Sequence, residues 1–392
     1  MDFDMTQGLR VPPLGRRLRL GFVGGGRGGL VGNWHMGGVR LSGQWDVVAG
    51  ALSSRPEVAR LSAADWAIAP DRAYTDVTEM ARAEAAREDG IDAVTICTPN
   101  AHHGPAAKAF LEAGIDVIVD KPVTHSLASS EDLADVARAT GRFVAVTYPY
   151  AHHAMIRQAR AMIAAGMIGP VRQVLAEYVQ DAHVGPDDPA DAGTAWRRDP
   201  TRVGRTSTTG DIGTHALHLL EHVTGLLATE LRADFHVCGG PKGLEDTAFV
   251  KLRLEGDVPG HLWITQAAAG NYCGLRLRVF GDAGGLEWDQ EHPEQLRYTP
   301  LNAPQQVLHR GHGGGMLPEA EALVHLPRGH GEALTDAWGN LYSEIALALA
   351  ARKAGAEAVG VFYTDLDEGL RGMRFIEACA DSAEAGGIWV SF

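Results

Sequence analysis

A glycine-rich turn between an apolar run and a helical segment constrains the fold of this chain more than any other feature. Gly24-x-Gly26-x-x-Gly29 directly follows Leu18–Val23, which has the composition of a buried strand, and Trp45–Leu52 is predicted to be the next strand. The first glycine permits a tight turn, the second lets the backbone approach a pyrophosphate, and the third lets the helix pack closely on the strand. This context predicts a dinucleotide-binding unit; the alternative is a merely flexible loop in a chain with 48 glycines.

The residues after the second strand bear on which dinucleotide is bound. NAD-binding units usually place Asp or Glu here to accept a hydrogen bond from the ribose 2′-hydroxyl. This chain has Ser53, Ser54 and Arg55 instead, which could donate hydrogen bonds to a 2′-phosphate. Arg55 is equally explained as the start of a helix with its side chain in solvent. The sequence therefore leaves NAD and NADP open, with a slight lean towards NADP.

Length and charge limit the class of protein. The 392 residues exceed the roughly 250–300 at which a single hydrophobic core stops growing, so two domains are expected. A formal net charge of −14 disfavours nucleic acid and anionic membranes as partners, because both are negatively charged. No apolar run approaches the roughly 18 residues of a spanning helix, and the N-terminal residues lack the apolar core of a signal peptide. A cytoplasmic setting is favoured by the four widely spaced cysteines, Cys97, Cys238, Cys273 and Cys379.

The order of apolar runs predicts two architectures within an α/β chain. Residues 1–17 are expected to form a flexible tail, residues 18–149 a doubly wound parallel sheet of the Rossmann type, and residues 150–392 an α+β domain. In the first part helical segments alternate with short, nearly continuous apolar runs, as in sheets buried on both faces. These later runs are Ile91–Cys97, Ile115–Val119 and Phe143–Val146.

Beyond about residue 148 the strands follow one another with few helices between them, which predicts a large open, mostly antiparallel sheet. The predicted strands are Val171–Tyr178, Leu231–Val237, Thr247–Leu254, Gly260–Ala268, Leu275–Phe280 and Gly285–Trp288. Gln305–His330 is interpreted as loop, with a mobile Gly/His-rich stretch at His309–Gly315 to which no role is assigned. Two helices close the chain, the second with Thr364 as N-cap and Asp367 three residues later.

The first candidate catalytic residue is a lysine at the carboxyl edge of the predicted parallel sheet. Asp120-Lys121-Pro122 follows Ile115–Val119 at the edge where ligands bind in open α/β sheets. A lysine there, beside a proline that fixes its backbone, could hold a substrate hydroxyl and favour its ionised form. The alternative is a loop lysine paired with Asp120 at the surface.

A second candidate set lies on the predicted helix Asp211–Val223. Asp211 and His215 are four residues apart and therefore share a face, where a carboxylate can orient an imidazole that accepts a proton. The alternative is a surface ion pair. His218 and His222 continue the stripe, but no nearby motif supplies a third ligand, so we expect no metal and interpret both as core residues hydrogen-bonded within the fold. The neighbouring face is expected to be buried and carries Ile212, Ala216, Leu219 and Val223.

With these residues assembled, the chain resembles the Gfo/Idh/MocA family of nicotinamide-dependent oxidoreductases, which act mainly on sugars, polyols and their derivatives. The resemblance runs from about Leu18 to the C-terminus. It rests on the glycine turn and on three segments in order, ICTPNAHHGPAAKAFLEAGIDVIVDKP, GDIGTHALHLL and VFGDAGGLEWD. This sequence departs from the family pattern at three places. It has Asp120-Lys121-Pro122 where the family usually has Glu-Lys-Pro, and Thr208-Thr209-Gly210 where a triple glycine is common. His218 stands where many members have Asp.

The resemblance implies Lys121, Asp211 and His215 as the catalytic set, in contact with the substrate. Along the cofactor it implies Thr98, Pro99, Asn100, His103, Asp120 and Lys121. Tyr148 follows the last strand of the first domain, where relatives place residues near the nicotinamide. Residues 195–200 are similar to a family substrate loop, in which the Trp196 indole could stack on a sugar ring and the Arg197 guanidinium could donate to hydroxyls. The alternative is that Trp196 anchors this loop in the core.

The implied activity is that of an NAD(P)-dependent dehydrogenase acting on CH–OH groups. It would transfer a hydride between NAD or NADP and a secondary alcohol of a sugar, glycoside or inositol-like polyol. Two alternatives stay open: a cofactor-retaining glycosidase or lyase that oxidises a ring hydroxyl transiently, and a non-catalytic sugar or nucleotide sensor. Relatives associate through the open face of the second-domain sheet, so a homodimer or homotetramer is expected.

Overall fold

The computed structural model describes residues 14–185, 196, 199–240, 243–313 and 315–392. Within these ranges the chain forms two compact units. The first comprises the described residues up to Tyr148 together with Trp338–Met373, and the second comprises Pro149–Ala337 and Arg374–Phe392. The polypeptide therefore returns to the first unit after building most of the second.

The first unit is built on a parallel sheet, in which the described strands lie in the order β5-β4-β3-β1-β2. The strands are β1 (Leu18–Gly24), β2 (Trp45–Ala51), β3 (Ala93–Cys97), β4 (Asp116–Asp120) and β5 (Val144–Thr147). Their apolar side chains are almost fully buried, as the nearly continuous apolar runs predict. The Rossmann-like sheet that the sequence predicts is confirmed.

Helices connect these strands and begin and end at recognisable caps. They are α1 (Leu30–Ser42), α2 (Pro56–Asp65), α3 (Val77–Ala85), α4 (His103–Glu112) and α5 (Leu127–Thr140). The Ser126 side chain accepts a hydrogen bond from the Ser129 N–H at the start of α5, and Gly141 ends that helix in the left-handed conformation. Gly43 ends α1 in the same way.

The second unit combines helices with one large sheet. Its elements up to residue 321 are α6 (Ala154–Ala164), β6 (Val171–Val179), α7 (Pro200–Val203), α8 (Thr214–Thr224), β7 (Ala228–His236), β8 (Thr247–Leu254), β9 (Val258–Thr265), β10 (Gly274–Gly281), β11 (Gly284–Asp289), β12 (Gln295–Pro300), β13 (Gln306–His309) and α9 (Pro318–Glu321). The described strand order is β13-β12-β11-β10-β6-β9-β8-β7. In that part of the sheet β6 and β9 are parallel and the other neighbours antiparallel, which confirms the predicted α+β architecture.

Two sequence interpretations of this unit are wrong in detail. The expected loop Gln305–His330 contains β13 and α9, and β12 precedes it unpredicted. Both strands are short and lie at one end of the sheet, with β13 at its edge. Most of their side chains stay partly exposed, so no clear hydrophobic alternation marks them. The expected helix from Asp211 begins instead as a π-helical turn, Thr209–Gly213, before α8. The predicted apolar face of this segment is buried, as expected.

The chain closes with α10 (Leu334–Lys353), β14 (Thr364–Asp365), α11 (Leu366–Glu384) and β15 (Val390–Ser391). β14 adds an antiparallel edge to the first sheet beside β5, and β15 pairs with β7 in the second. The predicted cap of α11 is wrong by one residue. Asp365 accepts a hydrogen bond from the Glu368 N–H, and Glu368 accepts one from the Asp365 N–H, so Asp365 caps the helix. Among the described helices, none combines the length and apolar character needed to cross a membrane.

Candidate active site

The glycine turn after β1 has no room for a side chain at its second motif glycine, Gly26. A Cβ atom at Gly26 would lie 2.6 Å from the Ser62 hydroxyl oxygen and 2.7 Å from the Leu52 carbonyl oxygen. The turn is also tied down, because the Arg27 N–H donates to that hydroxyl at 2.9 Å. Gly29 is the N-cap of α1, so the amino end of this helix faces the turn.

The closest packing of the helix on the turn falls on a glycine that the sequence motif did not single out. A Cβ atom at Gly32 would clash with the carbonyl oxygen of Gly25, whereas one at Gly29 would meet its nearest atom at 3.0 Å. The role expected of the third motif glycine, close helix–strand packing, is therefore supplied by Gly32 in the first turn of α1. Gly24 adopts a φ of +81°, as the tight turn requires.

The segment after β3 offers a buried polar atom suited to a ligand. Thr98 lies against the turn, and its methyl group would be 2.8 Å from a Cβ at Gly24. Its hydroxyl oxygen is buried without a hydrogen-bond partner among the described residues. An unsatisfied buried hydroxyl beside a phosphate-binding turn fits a bound dinucleotide. Pro99 follows at the same sheet edge, and Asn100 begins a short helical turn with its side chain buried.

The His103 ring lies between two backbone carbonyl groups, and its place along the cofactor stays a prediction. Its ring nitrogens lie 2.7 Å from the Thr98 carbonyl oxygen and 3.0 Å from the Pro122 carbonyl oxygen, and the side chain is fully buried. Burial lowers the pKa of His103, although Asp120 and these carbonyl groups oppose the shift. His103 thus connects the segments that follow β3 and β4.

The residues after β2 have the positions that the sequence suggested. Ser53 is half-buried and its hydroxyl oxygen accepts a hydrogen bond from the Arg55 N–H at 3.2 Å. Ser54 and Arg55 are exposed, and Arg55 is the N-cap residue of α2, with Pro56 in its first turn. The helix-start interpretation of Arg55 is therefore correct, and its exposed guanidinium leaves a role towards a 2′-phosphate as a prediction.

Asp120 is the last residue of β4, and Lys121, which follows it, is half-buried. The Asp120 carboxylate accepts hydrogen bonds from the Lys121 N–H at 2.9 Å and from the Thr147 hydroxyl at 2.7 Å. Burial alone would raise the pKa of this carboxyl, but His35, Lys121 and Thr147 hold it well below its usual range. Asp120 therefore stays ionised and fixes the backbone from which the Lys121 side chain leaves the sheet.

Asp211 lies inside the π-helical turn that precedes α8, and two side chains from neighbouring segments hold that turn. Glu245 accepts hydrogen bonds from the Ser207 N–H at 2.9 Å and the Thr209 N–H at 2.8 Å. The Gln266 amide donates to the Asp211 carboxylate at 3.0 Å. Because π-turns are rare and recur at functional sites, this local geometry supports a functional role for Asp211.

His215 lies in the first turn of α8, where two tyrosine rings border it. The Tyr150 ring meets the imidazole edge-on, with 4.9 Å between ring centroids, and the Tyr178 ring lies at 6.2 Å. The two phenol oxygens are 2.5 Å apart, and both lie within 3.9 Å of the Cys273 sulfur. Burial raises the pKa of both tyrosines well above the usual value, so both phenols are neutral donors.

His218 and His222 stack their rings with centroids 6.0 Å apart. Burial lowers the pKa of His218 to about 3 and that of His222 well below its usual value, so both imidazoles are neutral near pH 7. The described residues contain no group of three or more His, Cys, Asp or Glu side chains placed to hold a metal ion.

The remaining predicted site residues are distributed as follows. Tyr148, directly after β5, is buried. Trp196 is half-buried, and its carbonyl oxygen accepts a hydrogen bond from the Asp199 N–H at 3.3 Å. Arg197 lies outside the described residues. Substrate contact by Trp196 and Arg197 stays a prediction.

Sequence reasoning missed Tyr150, Tyr178 and Gln266. Tyr178 lies near the carboxyl end of β6 and Gln266 directly follows β9. Polar residues at the ends of buried strands were the available signal, because these side chains leave the sheet where a ligand can reach them. Glu245 had no such signal, since its role depends on the irregular turn it caps.

Comparison with known proteins identifies the family of this chain. Residues 18–148 match the model of the oxidoreductase family with an NAD-binding Rossmann fold, and residues 156–287 match the GFO/IDH/MocA C-terminal domain. The chain is 33% identical to the uncharacterized oxidoreductase YfiI of Bacillus subtilis (strain 168), over 99% of this chain and 100% of that protein.

Solved structures extend the likeness to the whole fold. An inositol dehydrogenase homolog from Azotobacter vinelandii complexed with NAD+ shares 37% identity at a TM-score of 0.93, covering 98% of this chain and 99% of that one. A structure of the homolog with NADH and myo-inositol shares 36% identity at a TM-score of 0.90, covering 98% and 100%. The chain therefore belongs to the Gfo/Idh/MocA family of oxidoreductases and is an NAD(P)-dependent dehydrogenase.

Proposed function

We propose that this protein oxidises a secondary alcohol of a cyclic polyol or sugar, with inositols as the first substrates to test. The observation that carries the proposal is the pairing of Asp211 with Gln266 and of His215 with Tyr150 around the start of α8. This arrangement supplies a carboxylate and an imidazole, the groups a general base requires. The myo-inositol complex of the Azotobacter vinelandii homolog supports the substrate class.

In the proposed reaction His215 accepts the proton of the substrate hydroxyl, and Asp211 favours the imidazolium that forms. Lys121 donates a hydrogen bond to the same oxygen and stabilises its developing negative charge. The amide of Gln266 keeps the Asp211 carboxylate in one orientation. A bound nicotinamide supplies the hydride acceptor. The residues that would hold it are Gly24, Gly26, Gly29 and Thr98, with Ser53, Ser54 and Arg55 towards the ribose.

The test is formation of reduced nicotinamide, followed by absorbance, with a panel of inositols, free sugars and glycosides offered with NAD and with NADP. His215→Ala should lower kcat by roughly 10²–10⁴-fold, the usual contribution of positioned proton transfer, and leave dinucleotide affinity nearly unchanged. Lys121→Ala should be at least as damaging. Unchanged turnover in either variant would remove that residue from the mechanism.

The same assay separates the alternatives. Cleavage of a glycoside without net reduction of added nucleotide would indicate the cofactor-retaining glycosidase or lyase. Binding of polyol and dinucleotide without turnover would indicate a sensor. Net reduction that depends on the polyol supports the dehydrogenase.

We also propose that a second copy of this chain covers the open face of the second sheet. Phe249 and Trp263 stack on that face with ring centroids 6.4 Å apart, and Phe249 and Phe280 are exposed. Exposed aromatic side chains on a sheet face are typical of subunit interfaces. Light scattering on the purified protein should give the mass of a dimer or tetramer, and a monomer would contradict the proposal.

A cytoplasmic setting remains part of the proposal, supported by the four cysteines, which are all free thiols.

A further inference from the structure

A buried histidine of the first unit lies between a phenol and the carboxylate that precedes Lys121. His35, on α1, is fully buried. Its Nδ1 is 2.7 Å from the hydroxyl oxygen of Tyr342, and its Nε2 is 3.9 Å from Oδ2 of Asp120. The Tyr342 hydroxyl is in turn 3.0 Å from the hydroxyl of Thr95, on β3. Tyr342 belongs to α10, 307 residues further along the chain than His35.

The hydrogen-bonding roles of these groups determine which ring nitrogen of His35 carries the proton when the imidazole is neutral. If Nδ1 carried the proton of a neutral imidazole, the lone pair of Nε2 would face the Asp120 carboxylate across 3.9 Å, which is electrostatically unfavourable. With the proton on Nε2, the N–H dipole faces the carboxylate. The Tyr342 hydroxyl then donates to Nδ1 and accepts from Thr95, so each polar atom has a suitable role. Burial raises the pKa of Tyr342 well above the usual value, which keeps this phenol protonated.

The distance from Nε2 to the carboxylate exceeds a hydrogen bond, so this last contact is electrostatic. Nε2 is nevertheless buried and has no hydrogen-bond partner among the described residues, which leaves Asp120 as the charge it faces. The other oxygen of Asp120 accepts the Lys121 N–H at 2.9 Å and the Thr147 hydroxyl at 2.7 Å. One carboxylate thus connects the buried imidazole to the backbone of Lys121.

We infer that Tyr342 and His35 are positioning residues for Lys121, acting through Asp120. Tyr342 fixes the proton of His35 on Nε2, the resulting N–H dipole keeps Asp120 ionised, and ionised Asp120 holds the strand end that presents Lys121. This inference rests on the proposed role of Lys121. It adds that a helix near the C-terminal end of the sequence helps to set the geometry of the first sheet's carboxyl edge.

Other titratable groups also face Asp120 and enter any pH dependence. They are Lys121 after β4, Cys97 at the end of β3, His103 on α4 and Tyr342 on α10. Burial raises the pKa of the Cys97 thiol, which is therefore neutral near pH 7, and lowers the pKa of His103. With Lys121 unchanged, His35 is the group whose loss most directly raises the pKa of Asp120.

The kinetic test compares Tyr342→Phe with Trp45→Phe, a control that removes a hydrogen bond to the Tyr342 backbone and leaves the Tyr342 hydroxyl in place. Tyr342→Phe removes only the hydroxyl, and we expect kcat to fall about tenfold, the effect of roughly 1.4 kcal/mol in a barrier. The KM for dinucleotide should stay nearly constant. Trp45→Phe removes the indole N–H that donates to the Tyr342 carbonyl oxygen at 2.9 Å. It should lower Tm and leave kcat nearly unchanged.

A second readout needs neither substrate nor cofactor. Nuclear magnetic resonance of the imidazole nitrogens, with the His35 signals assigned by their loss in His35→Asn, should show the Nε2-protonated neutral form. Tyr342→Phe should shift these signals towards the other tautomer, and Trp45→Phe should not. An Nδ1-protonated or doubly protonated His35 in the wild-type protein would overturn the inference.

An unchanged kcat in Tyr342→Phe would also overturn it, as would an equal kinetic effect of Trp45→Phe. Failure of the proposed function looks different. In that case the wild-type protein reduces no nicotinamide with any polyol, whereas the resonance experiment still establishes whether Tyr342 fixes the proton on His35.

Discussion

Gln266 shows how a single neutral side chain can set the behaviour of a candidate catalytic carboxylate. Its amide nitrogen donates to Asp211 at 3.0 Å and to the Gln180 side chain at 3.2 Å, while its oxygen accepts from the Thr208 hydroxyl at 2.9 Å. These bonds occupy the whole amide and fix its orientation. Asp211 is therefore held by a group that carries no charge and does not change with pH.

Replacing Gln266 by Leu should lower kcat/KM about tenfold, because Asp211 loses a buried donor and its fixed orientation. Steady-state kinetics with the best polyol checks this. Gln290→Leu is the matched control, since Gln290 is also buried and directly follows a different strand, β11. Equal losses in both variants would mean that the effect is general destabilisation.

Ser53 is the residue at which cofactor preference is best tested. It follows β2, where NAD-binding units usually carry an acid that accepts from the ribose 2′-hydroxyl and repels a 2′-phosphate. Ser53→Asp should raise the ratio of kcat/KM for NAD to that for NADP by about tenfold or more, the effect of roughly 1.4 kcal/mol. Ser391→Asp, which adds the same charge at an exposed position of β15, is the control. No change of the ratio in Ser53→Asp would remove this position from cofactor selection.

At the scale of secondary structure, the π-helical turn before α8 depends on Glu245. Burial raises the pKa of this carboxyl, although the Ser207 and Thr209 N–H groups oppose the shift by donating to it. Glu245→Ala leaves two backbone N–H groups without that acceptor and should lower the free energy of unfolding by about 2–4 kcal/mol. Urea denaturation measures the change. Glu245→Gln keeps one acceptor oxygen and should lose less, whereas equal losses would contradict the capping role.

The start of α6 carries a histidine that makes stability depend on pH. His153 is buried, with its ring 5.4 Å from that of Trp288, and burial lowers its pKa to about 3. In the unfolded chain the His153 imidazole becomes protonated near pH 6.5, whereas in the folded protein it stays neutral until the pH approaches 3. The contribution of His153 to stability is therefore fully present above pH 6.5 and is lost as the pH falls towards 3.

His153→Phe keeps an aromatic ring but cannot titrate. The free energy of unfolding of this variant should fall less steeply below pH 6.5 than that of the wild type, by up to about 1.4 kcal/mol per pH unit. Chemical denaturation at intervals of about one pH unit, from about pH 4 to pH 7, gives the free energy of unfolding at each pH and therefore the slope. His292→Phe replaces an exposed histidine and should leave the slope unchanged. Parallel curves for wild type and His153→Phe would contradict the assignment.

The success of the sequence analysis followed the strength of each local pattern. The parallel strands were predictable because burial on both faces requires apolar residues at nearly every position. Strands β12 and β13, at one end of the second sheet, were not, because most of their side chains are at least partly exposed and leave no such requirement. The π-helical turn was predicted as ordinary α-helix, since the bonds that hold it come from Glu245, about 35 residues away along the chain.

At the scale of the whole chain, the least predictable contacts join distant parts of the sequence. Lys121, Asp211 and His215 were each found from a local motif. Tyr342 was not, because no local pattern relates it to His35 or to the carboxyl edge of the first sheet. The return of Trp338–Met373 to the first unit brings it there. Sequence motifs therefore identify the groups proposed for the chemistry more readily than the residues that position them.

The central proposal is that Lys121 and His215 serve one chemical step. The most direct measurement is a double-mutant cycle on kcat with Lys121→Ala, His215→Ala and the combined variant, using the best polyol and saturating dinucleotide. Residues that act as a unit are strongly non-additive, so we expect the combined loss to stay within about tenfold of the larger single loss. Losses that multiply would show independent roles and contradict the account.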